Sequence, residues 1–362
     1  MNRPKRILVA VLNWGLGHAT RCIPIIRELQ RQGADVLIAS DGRALALLQK
    51  EFPTLSCHTL PTYGIRYATS NMFWNMATQL PGILSAIYRE QRFIETFVKS
   101  HNIDIIISDN RYGCRSTDCR NIFLTHQLNI KIPNRFLEYL VARINQKLIG
   151  RFQECWIPDY ETTPNLSGDL SHGKTKVNRR FIGVLSRMQH LTKVRKEQDV
   201  IVVLSGPEPQ RSRLEAKIIA QAKALPTHNF LIISGQTDQP ATTMRLSPNV
   251  TQIAYLTSRQ LNEAIAASST VICRAGYSSI MDLVQLQKPA ILIPTPGQTE
   301  QEYLAERFHR QGIFYRQSQA DLDLAKAIKE INKYATSFKR SATQAHLAKA
   351  VEKLLQGQSV NS

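Results

Sequence analysis

Short, wholly apolar runs separated by amphipathic stretches set the pattern of this chain. Ile7–Leu12 is apolar throughout, as a strand buried on both faces of a parallel sheet must be. Beyond it Cys22, Ile23, Ile25, Ile26 and Leu29 fall at helical spacing, with Arg27, Glu28, Gln30 and Arg31 opposite, and Gly33 predicts the stop. Val36–Ala39 predicts the next strand, ending at Ser40-Asp41. The opening segment is therefore a βαβ unit. Similar apolar runs at Ile103–Ser108, Asn121–Thr125 and Glu154–Ile157, with helical stretches between them, extend it to one doubly wound domain over residues 1–160.

Periodicity then lapses. Tyr160–Val177 is rich in Thr, Ser, Gly and Pro and reads as a linker, residues 161–178. Strand-like runs resume at Asp199–Leu204, Phe230–Ser234, Thr251–Ala254, Thr270–Cys273 and Pro289–Ile293. Helical patterns fall at Ser212–Ala224, Arg259–Ala267, Ser278–Leu286 and Gln301–Arg310. This predicts a second doubly wound domain over residues 179–336, followed by a tail, 337–362, whose helix (Ser337–Leu355) is able to cross back to the first domain. The expected fold is α/β, two Rossmann-like domains facing across a cleft. Ligands of such sheets bind beyond the carboxyl ends of the strands, so candidate chemistry is expected just after strands.

Composition narrows the class. With 43% hydrophobic and 20% charged residues in 362, the chain is an ordinary globular one. Its net charge of +18 points to anionic partners: phosphate-bearing substrates, acidic lipid headgroups or nucleic acid. Lys and Arg are spread without a long block, and no zinc-finger, RNA-recognition or zipper signature accompanies them, which turns the reading away from nucleic acid. The six cysteines form no Cys-x-x-Cys pair and read as thiols of a reducing compartment. The apolar run after the basic start is cut by Asn13, Trp14 and Gly15, so it predicts a buried strand and not a signal peptide.

Four segments stand at strand ends with suitable chemistry. Gly15-Leu16-Gly17-His18 links a strand to a helix. Gly15 and Gly17 let backbone N–H groups approach an anion at a helix N-terminus, and His18 is a candidate general base near neutral pH. Cys273-Arg274-Ala275-Gly276-Tyr277-Ser278-Ser279 offers N–H and hydroxyl donors with the charge of Arg274, and Asp282 stands one turn beyond Ser278, placed for two ribose hydroxyls. In Pro294–Glu302, Gln301 and Glu302 are candidates to read sugar hydroxyls. Ser205-Gly206-Pro207-Glu208-Pro209 follows the first strong strand of the second half, but its prolines and Glu208 make it a poorer phosphate cradle than a glycine-rich loop.

Together these segments resemble the family 28 glycosyltransferases of GT-B fold, a group that glycosylates undecaprenyl-linked muramyl-pentapeptide or forms plant galactolipids. The resemblance spans roughly residues 6–315 and is strongest in the first loop and in residues 273–305. It implies that His18 stands near the reacting sugar and diphosphate. Thr125-His126-Gln127-Leu128-Asn129 resembles a His-Glu-Gln-Asn segment on the acceptor side, with altered spacing. Gly183-Val184-Leu185-Ser186-Arg187 is similar to a Gly-x-x-x-Arg segment that brings Arg187 to the diphosphate. Leu256 falls where a backbone group meets uracil, and Asp282 replaces a ribose-binding Glu. Gln301 and Glu302 stand where a donor-sugar pair is expected. The family's Gly-Gly-Ser-x-Gly loop is replaced by Ser205–Pro209, which puts that phosphate contact in doubt.

The implied reaction is transfer of a hexose or N-acetylhexosamine from a UDP-sugar to a hydroxyl acceptor, lipid-linked or glycan, with inversion. UDP-sugar serves as co-substrate, and no further cofactor or metal is called for. Asp321-Leu322-Asp323 falls in a helix-like stretch and not after a strand, so it reads as chance. Met72, Phe73, Trp74, Met76, Leu80, Ile83, Leu84, Ile87 and Tyr88, followed by Arg89, Arg92 and Lys99, suit a helix packed in the core or lying on an anionic membrane. The expected place is the cytoplasm, with peripheral attachment to the inner face of the membrane as an option. Two alternatives remain open: a UDP-sugar hydrolase of the nonulosonic acid type, whose first loop is similar, and a non-enzymatic binder of anionic surfaces or nucleic acid.

Overall fold

The computed structural model describes residues 3–64, 72–191, 194–236, 242–334 and 343–357. The chain divides into two compact units, Met1–Ser186 with Arg340–Ser362, and Arg187–Lys339.

In the first unit the chain runs β1 (Arg6–Val11), α1 (Leu16–Arg31), β2 (Asp35–Ser40), α2 (Gly42–Glu51), β3 (Cys57–Thr59), α3 (Met72–His101), β4 (Ile105–Asp109), β5 (Arg120–Leu124), α4 (Arg135–Ile149), β6 (Glu154–Ile157) and β7 (Arg179–Phe181). The seven strands lie in the order β3-β2-β1-β4-β5-β6-β7, and every neighbouring pair is parallel. The apolar run of β1 is buried from Ile7 to Val11 because helices cover both faces of the sheet. Ile94 and Phe97 of α3 pack over Leu8, Ala10 and Ile106, and Ile149 of α4 packs over Phe123 and Cys155. The register aligns Leu8 with Ile106, Ser108 with Phe123 and Phe123 with Cys155, so α3 and α4 lie on the same face. Helix α1 ends as its glycine requires: Gly33 sits at φ 82°, its N–H bonds Gln30 O at 3.0 Å and that of Ala34 bonds Leu29 O at 3.0 Å, a Schellman closure.

The second unit runs β8 (Gln198–Val203), α5 (Gln210–Lys223), β9 (Phe230–Ile233), β10 (Thr243–Ser247), β11 (Val250–Ile253), α6 (Ser258–Ala266), β12 (Ser268–Cys273), α7 (Tyr277–Leu286), β13 (Ala290–Leu292), α8 (Thr299–Arg310), β14 (Tyr315–Arg316) and α9 (Leu324–Glu330). Its order is β10-β11-β9-β8-β12-β13-β14. All neighbours are parallel except the β10–β11 pair. Val200, Val202, Phe230, Ile232 and Ile272 form its core with Leu214 and Ile218 of α5. The tail helix α10 (Thr343–Leu355) belongs to the first unit. Gln32, just beyond α1, donates from Nε2 to Ala348 O at 2.8 Å. Residues 337–342 of the expected tail helix lie outside the described residues, as do the side chains of Met72, Phe73, Trp74, Met76 and Leu80 in the apolar stripe expected on α3.

The stretch expected as a linker, 161–178, sits inside the first unit, and β7 adds the last strand of the first sheet where the second domain was expected to open. The physical reason is a buried carboxylate. Asp159 is wholly buried just past β6. It accepts the N–H of Tyr160 at 2.7 Å and those of Leu166 and Ser167 at 2.8 Å each, with His172 Nε2 at 3.2 Å. Polar residues without apolar periodicity are thus ordered around one charge, a signal that hydrophobic patterning does not carry.

Candidate functional site

Strand order fixes where each unit can hold a ligand. In an open α/β sheet the crevice opens where the order reverses, beyond the strand ends. In the first unit that point lies between β1 and β4, so the turn into α1 and the end of β4 face one another.

Gly15 precedes α1 at φ 84°, a left-handed conformation that favours glycine, and a Cβ there would meet nothing within 4 Å. The backbone conformation, and not crowding, demands the residue. Helix α1 starts without a side-chain cap from Gly15 and without an acidic residue in its first turn, and the positive end of a helix favours an anion. Leu16 opens the helix and Gly17 O accepts the Thr20 hydroxyl at 3.0 Å.

His18, Arg21 and Cys22 lie on one face of α1 at i, i+3 and i+4 and converge on Asp109, the last residue of β4. Asp109 Oδ2 lies 3.1 Å from His18 Nδ1 and accepts Arg21 Nε at 3.1 Å. Arg21 Nη2 also donates to Asp109 Oδ1. Cys22 Sγ stands 3.5 Å from Oδ2. Arg21 Nη2 approaches His18 Nδ1 at 3.0 Å, and its Nη1 donates to His126 Nδ1 at 3.0 Å. Arg21 is only 2% exposed.

Burial works against the Asp109 carboxylate, but Arg21 and His18 overcome it and hold its pKa down at about 2. Burial lowers the pKa of His18 below the ordinary histidine value, and Arg21 adds to the effect against the opposing pull of Asp109. The imidazole is therefore neutral at neutral pH, beside a closed Arg–Asp pair. Donating Nδ1–H to Asp109 leaves an accepting lone pair on Nε2; accepting from Arg21 at Nδ1 leaves an Nε2–H donor. The first state is a base and the second an electrophile.

The segment after β5 joins this cluster through His126, which is buried. Gln127 N donates to Thr125 Oγ1 at 3.0 Å. Asn129 spends its amide on the scaffold: Nδ2 donates to Asp169 O at 2.8 Å and Oδ1 accepts from Gln146 at 2.9 Å. Of the three residues expected on the acceptor side, His126 thus meets His18's partner and Asn129 holds the loop.

Two residues past Asp109 the chain turns the other way. Asn110 takes φ 54°, and the wholly buried Arg111 donates to Glu90 at 2.5 Å, Asp41 at 2.7 Å and the carbonyls of Val11 and Pro61. Burial opposes its charge, but Glu90 and Asp41 keep it protonated. This network ties the ends of β1 and β2 to α3 and so frames the crevice.

In the second unit the order reverses between β8 and β12. Ser205 and Gly206 lie exposed after β8, with Gly206 at φ 104°. The doubted cradle carries its own anion: Glu208 accepts the N–H of Ser212 at 3.2 Å and pairs with Arg211, so a carboxylate already caps α5. After β12, Arg274 is 1% exposed and donates to the carbonyls of Ile293 at 3.3 Å, Pro294 at 3.2 Å and Gln210 at 2.9 Å. Burial pushes its pKa down to about 10. Arg274 Nε and Thr295 Oγ1 are buried without a hydrogen-bond partner. A Cβ at Gly206 would lie 3.5 Å from Thr295 Oγ1 and 3.9 Å from Arg274 Nε. The three loops after β8, β12 and β13 therefore meet around a guanidinium that donates to neutral carbonyls. Thr295 was not foreseen from sequence.

Helix α7 begins at Gly276 with no side-chain cap and no acid in its first turn. Ser278, Ser279 and Asp282 are half-buried along it. Gln301 Oε1 accepts the N–H of Thr295 at 2.9 Å and Glu302 Oε1 that of Gly297 at 3.0 Å, so both cap the loop that leads into α8. Arg187 lies elsewhere in this unit, donating to Ser258 Oγ at 2.7 Å at the start of α6, two residues beyond the half-buried Leu256. Asp321-Leu322-Asp323 is not helical as expected. It precedes α9, where Asp323 caps the helix by accepting Lys326 N–H at 2.9 Å.

Comparison with known proteins places these units. Residues 200–356 match the family model described as the glycosyltransferase family 28 C-terminal domain. A protein of Methanosarcina mazei named as an uncharacterized glycosyltransferase is 22% identical over 97% of this chain and 98% of its own. The UDP-N-acetylglucosamine–N-acetylmuramyl-(pentapeptide) pyrophosphoryl-undecaprenol N-acetylglucosamine transferase of Caldanaerobacter subterraneus is 36% identical over 20% of this chain and 21% of its own. Among solved structures, the glycotransferase of kitacinnamycin superposes with TM-score 0.66 at 16% identity, covering 99% of this chain and 96% of that one. Acinetobacter baumannii MurG gives TM-score 0.56 at 12% identity, covering 97% and 100%. With two Rossmann-like sheets and whole-length similarity to glycosyltransferases, the chain has the GT-B glycosyltransferase fold, and its second unit matches the glycosyltransferase family 28 C-terminal domain.

Proposed function

We propose that this enzyme transfers a hexosyl or N-acetylhexosaminyl group from a UDP-sugar to the hydroxyl of a lipid-linked acceptor, with inversion at the anomeric carbon. The observation that carries the reading is the Asp109 carboxylate 3.1 Å from His18 Nδ1. With Nδ1–H donated to Asp109, Nε2 of a neutral imidazole takes the acceptor proton as the hydroxyl oxygen bonds to the anomeric carbon and the bond to UDP breaks. Asp109 and Arg21 are positioning residues: Asp109 orients the ring and favours its Nδ1–H tautomer, and Arg21 holds the carboxylate in place. His126 receives the remaining arm of Arg21 and belongs to the acceptor side.

The leaving diphosphate needs positive charge. The uncapped N-terminus of α7 with Gly276, Ser278 and Ser279 supplies N–H and hydroxyl donors, and Arg274 beneath Gly206 supplies net charge. This charge does not depend on a metal ion, so the reaction is read as metal-independent. Asp282 suits the ribose hydroxyls, Leu256 and Arg187 the base and diphosphate, and Gln301 and Glu302 the sugar, Glu302 through its second carboxylate oxygen and Gln301 through the second N–H of an amide that also donates to Gln298.

The family's muramyl-pentapeptide relatives act on an undecaprenol-linked substrate by name, and a lipid-linked acceptor here implies work at a membrane surface. No helix among the described residues is long and apolar enough to cross a membrane. Thermal-shift screening against UDP, GDP, TDP and their sugars tests the donor, because a ligand that binds the folded state raises the melting temperature. UDP and UDP-sugars are expected to stabilise; stabilisation by TDP alone contradicts the donor assignment.

A further inference from the structure

Glu208 places a carboxylate at the amino end of α5. The helix's own N-cap, Pro209, gives it no side-chain bond. Glu208 Oε2 accepts the N–H of Ser212 at 3.2 Å, and Oε1 accepts Arg211 Nε at 2.7 Å. Burial pushes the Glu208 pKa up, but the bonds from Ser212 and Arg211 outweigh it and hold the pKa below the ordinary carboxyl value. The group is therefore an anion at neutral pH, on a helix end that favours one.

The carboxylate is fixed from below. Arg211 is 8% exposed. Its Nη1 donates to Glu215 Oε2 and to Ser234 O, both at 3.1 Å. Glu215 in turn accepts Ser234 Oγ at 2.5 Å and Gln252 Nε2 at 2.8 Å. The chain Glu208–Arg211–Glu215 thus rests on the ends of β9 and β11, and Glu208 is held in place although its side chain is 55% exposed.

The same turn touches the donor loops. Arg274 Nη2 donates to the carbonyl of Gln210, the first residue of α5, at 2.9 Å. A Cβ on Gly206 would lie 3.5 Å from Thr295 Oγ1 and 3.9 Å from Arg274 Nε. Among the described residues these two atoms are buried without a hydrogen-bond partner. Two donors aimed at nothing in the chain point to an anion from outside it. Glu208 is two residues from both Gly206 and Gln210, so its Cα lies within about 7.6 Å of each. An anion at Arg274 and Thr295 therefore sits inside a Debye length of the Glu208 carboxylate, where the repulsion is felt.

We infer that Glu208 is a built-in competitor for phosphate: it occupies the amino end of α5 with the chain's own anion, repels the diphosphate held at Arg274 and α7, and so limits how tightly the enzyme retains a nucleoside diphosphate. The nucleoside part rests on the UDP-sugar donor proposed above; the competition needs only an anion at the Arg274 loop.

Calorimetric titration of the full chain with UDP, inorganic pyrophosphate and uridine tests this. Glu208→Gln keeps an oxygen for the Ser212 N–H and removes the charge, while Arg211 retains Glu215, so its melting temperature should stay near that of the wild type. It is expected to bind UDP and pyrophosphate about fivefold more tightly, with no gain for uridine, and the gain should shrink as salt rises. Glu208→Ala, which also frees the amide, should gain at least as much. Equal binding of both anions by Glu208→Gln overturns the proposal and leaves Glu208 a helix cap; weaker binding overturns it and makes the carboxylate a ligand contact. A gain that uridine shares, or that salt does not reduce, also overturns it, because charge is then not the cause. Tighter pyrophosphate binding with no UDP binding by either protein upholds the competition and removes the donor reading alone. Binding of neither anion by either protein overturns both.

Discussion

Asp109 Oδ2 stands 3.1 Å from His18 Nδ1, and the two residues come from the neighbouring strand ends where the first sheet reverses its order. A histidine that follows one strand is thereby oriented by a carboxylate that ends another. Asp109→Asn keeps the shape but loses the charge that favours Nδ1–H. Turnover is expected to fall by roughly 10²-fold or more, as loss of a well-placed base costs. The same variant leaves Arg21 as a buried charge without its counter-ion, expected to cost about 3–5 kcal/mol. Urea unfolding of Asp109→Asn and of Arg21→Met with Asp109→Leu separates the effects: the double variant should recover stability but not activity.

The pH dependence follows from the direction of the His18 shift. Burial lowers its pKa from 6.5 in the folded enzyme, and the base is the neutral form. Activity should therefore rise with pH through a limb lying below 6.5 and be flat at neutrality. A limb above that value, measured on kcat with saturating donor, contradicts a neutral, Asp-paired histidine. Asp109 acts on stability in the acid range: its pKa falls from 3.8 to about 2 on folding. Its contribution is complete above the unfolded value and is lost as pH drops toward the folded one. Acid unfolding of Asp109→Asn should lack that component.

Much of this was legible in the sequence, and the remainder has physical causes. Continuous apolar runs reveal strands buried on both faces, and the turns that follow them put Gly15, His18, Arg274 and Gly276 beyond strand ends from local pattern alone. Asp109 ends a run that was recognised, but its pairing with His18 depends on which strand lies beside β1, and local pattern does not encode strand order. The burial of Arg21 is not legible locally either, because it is compensated by a partner 88 positions away. Asp159 organises the stretch taken for a linker for the same reason. Short edge strands such as β7 and β14 are too brief to show a period.

Arg274 tests the donor half. Arg274→Lys keeps a charge but cannot reach the carbonyls of Ile293, Pro294 and Gln210 as a planar fork does. UDP affinity, read by calorimetry, should fall by about tenfold or more, with acceptor KM little changed. Unchanged UDP affinity removes Arg274 from the diphosphate site.

Asp159 tests the acceptor half. It anchors Leu166 and Ser167, and Leu170 O in turn accepts the N–H groups of Leu128 at 2.8 Å and Asn129 at 2.9 Å. Hydrogen bonds to a buried charge are worth about 1.5–3 kcal/mol each. Asp159→Asn should lower stability by about 2–4 kcal/mol and raise acceptor KM, while donor KM stays near the wild-type value. A variant destabilised but with both KM values unchanged assigns the knot to folding alone.

The most direct measurement is UDP release and glycosylated product from a UDP-sugar, with and without a lipid-linked hydroxyl acceptor, for the wild type and His18→Ala, alongside UDP-induced thermal shifts of both proteins. The account predicts acceptor-dependent release by the wild type, a loss of roughly 10²–10⁴-fold in His18→Ala and equal thermal shifts. Near-normal turnover by His18→Ala, or stoichiometric release of UDP and free sugar without an acceptor, contradicts it.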